Sequence, residues 1–83
     1  MQVMITLGEP YWRSAGEREL SLELEEGVRL ADLLVIIRQT WPALARDMDE
    51  ATPVLFVDDL QADPETRLEG GNRVHMLWPV AGG

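Results

Sequence analysis

Gly83, the last residue of the sequence, has the most distinctive chemistry, and it follows a second glycine, Gly82. A terminal carboxylate has a reference pKa of about 3.3–3.7, so it is ionised at neutral pH. An ionised carboxylate is a poor electrophile and must be activated, usually by adenylation with ATP, before a nucleophile can attack it. Glycines lack a Cβ atom, so the two residues could thread a narrow channel. The chain end is therefore a candidate reactive group, although Gly-Gly alone is more often an inert, flexible end.

The sequence contains nothing that could activate this carboxylate. It has no Gly-x-x-x-x-Gly-Lys-Ser/Thr phosphate-binding loop and no lysine, since all seven of its basic residues are arginine. It also has no cysteine, which excludes disulfides, thiolate metal sites and a cysteine nucleophile. Activation would therefore have to come from a partner enzyme.

The other candidate groups point to less specific chemistry. His75 is the only histidine, and a lone histidine is far more typical of a strand surface than of a metal ligand or a general base. Asp47, Asp49 and Glu50 lack the glycine and the spacing of a calcium loop, so they indicate a solvated polar loop. We expect no metal site.

Length and composition limit the classes of function. A chain of 83 residues forms one small domain, which buries only about 60–65% of the surface that its unfolded form exposes. The net charge of −8 disfavours nucleic-acid binding, which usually needs a basic face. No apolar run approaches the roughly 20 residues of a membrane span, and the N-terminus lacks the pattern of a signal peptide. We therefore expect a cytoplasmic protein.

Polarity alternates with period two in two early segments. Residues 3–7 form one such segment, and Leu20, Leu22 and Leu24 alternate with serine and glutamate in the other. This pattern predicts two half-buried strands, as in an antiparallel hairpin. Residues 8–16 contain two glycines and a proline, which predicts a long loop between the strands.

A helical pattern follows Gly27. Asp32 suits the first turn of a helix that ends near Trp41, and Pro42 can open a further short turn through Met48. The apolar residues recur with helical spacing and form one stripe that should face the sheet. The members of this stripe are Leu30, Leu33, Leu34, Ile37, Trp41 and Leu44.

The second half of the sequence predicts two more strands. Residues 54–57 are apolar and rich in strand-forming residues, Asp58 and Asp59 mark a turn, and residues 73–78 form the last strand. A hairpin, a crossing helix and a final strand that returns beside the first is the layout of a β-grasp. We therefore predict an α+β, ubiquitin-like β-grasp domain over residues 1–79, with a mixed sheet of four to five strands and one main helix on one face. Residues 80–83 are predicted to be a flexible tail.

Several segments in order resemble the ubiquitin-like sulfur carriers of the MoaD/ThiS family. The resemblance rests on three parts of the sequence. The ending consists of residues 68–74 (LEGGNRV) and 78–83 (WPVAGG). The helix entry is residues 26–34 (EGVRLADLL), and the loop after the first strand contains residues 13–16 (RSAG). The long loop after the first strand and residues 41–44 (WPAL) resemble the small subunit of molybdopterin synthase (MoaD) more than the thiamine-pathway carrier (ThiS). The sequence departs from the family at Arg29, where a capping threonine is common, and at Trp78, where a proline is usual.

The resemblance implies a sulfur carrier that is not catalytic alone. In the family, the terminal glycine is adenylated by a ubiquitin-activating-like partner enzyme and converted to a thiocarboxylate. The resemblance therefore implies this role for Gly83, together with Gly82. ATP is used by the partner, and this chain is expected to bind no cofactor. The second implied partner is a larger, MoaE-like synthase subunit, which would make this chain the small subunit of a sulfurtransferase. Neither nucleic acid nor membrane is an expected partner.

A carrier must dock on both partners near its tail. Leu77 and Trp78 lie directly before the tail, and Leu60 matches a family position on the same face, so these three side chains are predicted contacts. Pro79, Val80 and Ala81 are predicted to enter the partner with the tail. Alternatively, of Leu77 and Trp78 one packs on the helix and the other is only partly exposed. Tyr11 and Trp12 are the fallback docking pair, with packing against the helix equally compatible with their sequence.

Other functions fit the same sequence features. The carrier could serve thiamine, cysteine or tungsten-cofactor synthesis instead of molybdenum-cofactor synthesis. It could also be a ubiquitin-like modifier that is joined through Gly83 to lysines of target proteins. A third class is a plain binding module with an inert tail.

Overall fold

The computed structural model describes residues 1–79, which form five strands and three helices. In chain order these elements are β1 (Gln2–Leu7), α1 (Tyr11–Ala15), β2 (Glu19–Glu23), α2 (Leu30–Thr40), α3 (Pro42–Glu50), β3 (Val54–Val57), β4 (Leu60–Gln61) and β5 (Arg73–Leu77).

The five strands form one mixed sheet in the order β2-β1-β5-β3-β4. The last strand, β5, lies in the centre, parallel to β1 and antiparallel to β3. The outer pairs, β1 with β2 and β3 with β4, are antiparallel. This arrangement confirms the predicted α+β β-grasp fold with a mixed sheet. The fifth strand is the two-residue β4, which follows the predicted turn at Asp58 and Asp59.

The core lies between one face of the sheet and the helices. Its members recur at every second strand position and along one stripe of α2 and α3, as the two periodicities predict. The strand members are Val3, Ile5, Leu7, Leu20, Leu55, Val74 and Met76, and the helix members are Tyr11, Leu30, Leu33, Ile37, Leu44 and Met48. Leu34 and Trp41, also predicted for the stripe, are partly buried and pack against this core.

Helix α2 begins without a capping side chain at Arg29. Instead, the Arg29 backbone N–H donates to Asp32 Oδ2 at 3.0 Å. The acidic residue predicted for the first turn thus accepts a hydrogen bond from the backbone at the start of the helix. The Leu30 and Ala31 N–H groups donate to the carbonyl oxygens of Thr66 and Pro64, at 2.8 and 2.9 Å. The free backbone N–H groups at the start of α2 are therefore hydrogen-bonded by the loop that precedes β5 rather than by a capping side chain.

The predicted loop over residues 8–16 was wrong in one part, because it contains the five-residue helix α1. Tyr11 is fully buried, so tertiary packing holds this short helix although its local sequence favours turns. Gly16 ends it in the left-handed region at φ 81°, where its N–H donates to the Trp12 carbonyl oxygen at 2.9 Å.

The predicted polar loop at residues 47–50 was also wrong, because α3 continues to Glu50. Leu44 and Met48, four residues apart, are both buried and keep one face of α3 on the core. Asp47 and Asp49 have partners elsewhere in the fold: Asp47 accepts a hydrogen bond from the Ser14 hydroxyl, and Asp49 pairs with Arg38. No helix within residues 1–79 is long and apolar enough to cross a membrane.

Candidate functional site

The end of β5 is the part of the described structure that leads to the predicted reactive group. Because β5 is parallel to β1, both strands end at the same edge of the sheet. The strand ends at Leu77, one residue earlier than predicted, and Trp78 and Pro79 follow it. Residues 80–83, which include the predicted tail contacts Val80 and Ala81 and the predicted reactive Gly82 and Gly83, lie outside the described residues.

Gly8 packs directly against the end of β5. Its N–H donates to the Met76 carbonyl oxygen at 3.0 Å, which extends the β1–β5 ladder by one bond. A Cβ atom at Gly8 would stand 3.1 Å from Leu77 Cδ2. This distance is closer than ordinary van der Waals contact, so glycine permits the approach of the two chain segments. In the sequence, the only sign of this role is a glycine placed directly after a strand.

Trp78 packs on α1 rather than pointing freely into solvent. Its ring centroid lies 5.7 Å from that of Tyr11, with an interplanar angle of 50°. Trp78 is partly buried and contacts the core, while Tyr11 is completely buried. Such tilted aromatic pairs contribute about 0.5–1.5 kcal/mol beyond the area that they bury. Trp78 is therefore the packed member of the predicted Leu77–Trp78 pair.

Helix α1 is anchored on both sides of this aromatic contact. The Trp12 backbone N–H donates to the Gly8 carbonyl oxygen at 3.1 Å, which connects the helix to the end of β1. On the other side, the Ser14 hydroxyl donates to Asp47 of α3. The Tyr11 hydroxyl is buried and has no hydrogen-bond partner among residues 1–79. Burial, and secondarily the nearby Asp47 carboxylate, raises the pKa of Tyr11 to about 12.

Leu77 is the exposed member of the pair. Its neighbours along the chain, Met76 of β5 and Trp78 just after it, both pack inward, whereas 40% of the Leu77 surface is exposed. Leu77 lies opposite Val54 of β3 on the face of the sheet away from the buried core residues. The predicted contact next to the tail is therefore apolar and accessible at this position.

Leu60 does not share a face with Leu77, so that part of the prediction was wrong. Leu60 pairs with Val57, whereas Leu77 pairs with Val54. Val54 and Val57 are three residues apart on one strand, and side chains alternate, so the two leucines occupy positions on opposite faces of the sheet. Leu60 is 76% exposed because β4 is an edge strand only two residues long. It lines an open pocket of about 490 Å³ together with Asp58, Asp59, Thr66 and Arg67.

The fallback docking pair is separated by the fold. Tyr11 is fully buried and cannot contact a partner, which corrects its prediction as an anchor. Trp12 is half-buried, and the guanidinium carbons of Arg13 and Arg18 lie 4.9 and 4.2 Å from its ring centroid. Arg13 also pairs with Glu9 at 3.1 Å. Two positively charged guanidinium groups therefore lie against the Trp12 ring, near the sheet edge where β1 and β5 end.

His75 lies on the outer face of the sheet, opposite Thr6 of β1 and Phe56 of β3. It is half-buried, in agreement with the strand-surface role predicted for it. Within the described residues, no three histidine, aspartate or glutamate side chains gather where they could hold a metal ion.

No protein-family model and no curated protein matches the sequence. Solved structures do match it over its whole length. SAMP1, small archaeal modifier protein 1 of Haloferax volcanii, superposes with a TM-score of 0.87 at 18% identity, covering 100% of this chain and 100% of its own. A chain from the complex of subunits 1 and 2 of the molybdopterin-converting factor of Helicobacter pylori superposes with a TM-score of 0.73 at 23% identity, again over 100% of both chains. The chain has the fold of the ubiquitin-like sulfur carriers.

A third match to this sulfur-carrier fold comes from the BexX/CysO complex of Amycolatopsis orientalis, with a TM-score of 0.71 at 15% identity over 98% of this chain and 99% of the other. At such low sequence identity, structural similarity establishes a shared fold. The resemblance found in the sequence is therefore confirmed for the fold. Two of the three matched chains belong to protein–protein complexes.

Proposed function

We propose that this protein is a sulfur carrier whose Gly83 carboxylate is activated by a partner enzyme and converted to a thiocarboxylate, and that it serves as the small subunit of a molybdopterin synthase. The observation that supports this proposal is the position of β5: the central strand of a sulfur-carrier fold runs directly toward a Gly-Gly end, with four residues between Pro79 and the last carboxylate. The MoaD-like sequence features favour this pathway over the other carrier pathways.

The proposed chemistry has two steps. A Gly83 carboxylate oxygen attacks the α-phosphorus of ATP, which forms an acyl-adenylate and releases pyrophosphate. A sulfur nucleophile at the oxidation level of sulfide then attacks the acyl carbon and displaces AMP, which leaves the thiocarboxylate. This chain has neither lysine nor cysteine, so the ATP-binding groups and the sulfur donor belong to partner proteins. The thiocarboxylate then gives its sulfur to a pterin precursor on the larger synthase subunit. The bond between the acyl carbon and sulfur breaks, and an oxygen from water takes the place of the sulfur, which restores the Gly83 carboxylate.

The proposed docking surface begins at Leu77, which is apolar, exposed and six positions before the last residue. A carrier must release each partner after use, so a small apolar contact with a polar surround is suitable. Pro79, Val80 and Ala81 would follow into the partner's channel. Leu60, on the opposite face, is proposed as a separate contact at the β4 edge.

The experiment that tests this proposal compares three forms of the protein with its adenylating enzyme and a sulfur donor. Wild type should gain sulfur, as measured by intact mass. Deletion of Gly83 should abolish the gain while the melting temperature stays unchanged, because residues 1–79 form the folded core. A matched form extended by one alanine after Gly83 retains both glycines but moves the carboxylate, and it should also fail. Sulfur gain by either altered form would contradict the role of Gly83.

A modifier function is the second candidate, because the matched SAMP1 is a small archaeal modifier protein. In that case the activated Gly83 would acylate lysine amines of other proteins. The chain itself has no lysine, so its own side chains could not accept another copy. Conjugates that persist on a denaturing gel after thiol treatment, and that disappear when Gly83 is deleted, would support this function. Their absence from cells that contain the thiocarboxylate form would favour the carrier.

A further inference from the structure

Arg18 lies at the same end of the sheet as the last residue of β5. The Leu7 backbone N–H donates to the Arg18 carbonyl oxygen at 2.9 Å, and the Gly8 backbone N–H donates to the Met76 carbonyl oxygen at 3.0 Å. Residue 18 and the end of β5 therefore flank the end of β1 on its two sides. Because neighbouring strands lie about 4.8 Å apart, the two flanking backbone segments are separated by about 10 Å.

The Arg18 guanidinium is held over an aromatic ring and is open to an external acceptor. Its central carbon lies 4.2 Å from the centroid of the Trp12 ring. The ring attracts the positive charge but does not occupy the N–H donors as a carboxylate would. Within residues 1–79, no carboxylate pairs with this guanidinium and no atom accepts a hydrogen bond from it. The Arg18 side chain is exposed, so a group from another molecule can reach these donors.

Two carboxylates near Arg18 are already paired with other arginines. Glu9 pairs with Arg13 at 3.1 Å, and Glu19 pairs with Arg73 at 3.5 Å. Acidic residues outnumber basic ones by fifteen to seven in the sequence. Arg18 is nevertheless a cation for which the described part of the chain supplies no anion. The local charge that a partner meets here is therefore opposite in sign to the net charge of the protein.

A partner that docks at Leu77 would also cover Arg18. Each side of a stable protein–protein interface buries about 800 Å², which corresponds to a patch roughly 30 Å across. The domain measures 34 × 26 × 18 Å, so a patch of this size crosses the end of the sheet from the outer face at Leu77 to the side of α1. Removal of an unpaired guanidinium from water is unfavourable, so such a partner must supply an acceptor.

We infer that Arg18, held over Trp12, pairs with an aspartate or glutamate side chain of the adenylating enzyme and thereby fixes the orientation in which the carrier docks. A carboxylate compensates the charge and accepts two parallel N–H bonds from the planar guanidinium, which sets orientation as well as distance. The identity of the partner rests on the proposed function. The need for a carboxylate rests on the unpaired state of Arg18 within residues 1–79.

The test measures the Kd for the host's adenylating enzyme by titration calorimetry without ATP, so that no nucleotide phosphate can replace the protein carboxylate. Arg18→Gln should raise Kd about thirtyfold or more, because it removes one member of a covered charge pair. Arg18→Lys keeps the charge but loses the paired donors, so its Kd should lie between those of wild type and Arg18→Gln. Arg18→Glu sets two carboxylates against each other and should bind about tenfold more weakly than Arg18→Gln.

Arg46→Glu is the matched control for the change in net charge. Arg46 is also exposed and has no ion pair within residues 1–79, but it lies on α3 and not over an aromatic ring of the described chain. This variant should keep Kd within about threefold of the wild-type value. The melting temperatures of all these variants should stay close to that of wild type, because both arginines are exposed.

Two results would overturn the inference directly. One is wild-type affinity for Arg18→Gln, and the other is binding by Arg18→Glu that equals or exceeds that of Arg18→Gln, since the partner surface would then be neutral or basic. A loss in Arg46→Glu as large as that in Arg18→Glu would reduce the effect to net charge and would also overturn it. Absence of binding by wild type would contradict the proposed function and this pairing with it, and that result needs no variant.

Discussion

Asp58 and Arg73 are joined by two hydrogen bonds that link the end of β3 to the start of β5. The Asp58 backbone N–H donates to the Arg73 carbonyl oxygen at 2.7 Å, and the Arg73 backbone N–H donates to Asp58 Oδ1 at 3.0 Å. The Asn72 side-chain amide donates to Asp58 Oδ2 at 2.9 Å. Asp58 thus holds the turn from which the central strand begins, and the register of β5 places Leu77 and Trp78 at the other end.

Replacement of Asp58 should destabilise the fold although its side chain is exposed. Asp58→Ala should lower the free energy of unfolding by about 1–3 kcal/mol, because two hydrogen bonds to the carboxylate are lost and alanine is strained at φ 54°. Asp58→Asn retains an acceptor oxygen and tolerates this φ, so it should cost less than about 1 kcal/mol. Chemical denaturation measures both values.

Asp59 provides the matched control for Asp58. It is the neighbouring exposed aspartate of the same turn, and no side-chain hydrogen bond is seen for it among residues 1–79. Asp59→Ala should therefore stay within about 0.5 kcal/mol of wild type. Equal losses for Asp58→Ala and Asp59→Ala would mean that the carboxylate bridge to Arg73 and Asn72 contributes nothing.

Tyr11 should give the protein a stability loss at high pH. Its pKa is raised to about 12 in the folded protein by burial and by Asp47, whereas an unfolded tyrosine has a pKa of about 10. The unfolded state therefore loses its proton first, so this contribution to stability is complete below about pH 10 and disappears as the pH rises toward 12. The chain has one tyrosine and neither lysine nor cysteine, so no other side-chain type titrates in this window.

Tyr11→Phe should remove this pH dependence. It should also leave stability at neutral pH equal or higher by up to about 1 kcal/mol, because it deletes a buried hydroxyl for which the described part of the chain offers no hydrogen-bond partner. Ultraviolet absorbance of tyrosinate and thermal melts across the alkaline range check both points. Ionisation of wild-type Tyr11 near its ordinary pKa, with the fold intact, would be the contrary result.

Leu77→Ala should weaken binding to the adenylating enzyme. An apolar anchor truncated to alanine typically costs about 2 kcal/mol or more, which corresponds to roughly a thirtyfold rise in Kd. Folding should be largely kept, because Leu77 is partly exposed and outside the core. Titration calorimetry with the enzyme measures the loss. The control is Val35→Ala, since Val35 is 51% exposed on α2 and is not a proposed contact.

Leu60→Ala tells whether the partner also reaches the β4 edge. Leu60 and Leu77 lie on opposite faces, so they share no contact and their losses should add in the double variant within about 0.5 kcal/mol. Strong non-additivity would mean that both leucines contribute to one continuous patch. Wild-type affinity for Leu77→Ala and for Leu60→Ala would move the docking surface to another part of the molecule, with Trp12 as the next candidate.

Periodicity predicted most of the fold. Period-two alternation in β1 and β2 and the apolar stripe of α2 identified buried residues such as Ile5, Leu20 and Leu33. In a two-layer domain each pattern has a single apolar face, and that face must pack against the other layer. It could not find α1, which has five residues and depends on burial of Tyr11 by distant parts of the chain. It also underestimated α3, where Asp47 and Asp49 look like a loop until their partners Ser14 and Arg38 are known.

The candidate site was predictable in composition but not in geometry. The sequence places Leu77 and Trp78 before the tail, yet it does not say which one packs inward, because that depends on contact with α1. The face occupied by Leu60 depends on the register of a two-residue strand, where a shift of one residue reverses the face. The close approach of Gly8 to Leu77 is equally a property of the parallel β1–β5 pair.

The intact mass of the protein purified from its own host tests the central claim most directly. If Gly83 carries sulfur, part of the protein should be heavier than the unmodified chain by about 16 Da, the difference between one sulfur and one oxygen atom. Fragmentation should assign this mass to the last residue, and the heavier species should vanish when the adenylating enzyme is deleted. A single species at the unmodified mass, unchanged by that deletion and by the presence of sulfur donors, would contradict the account.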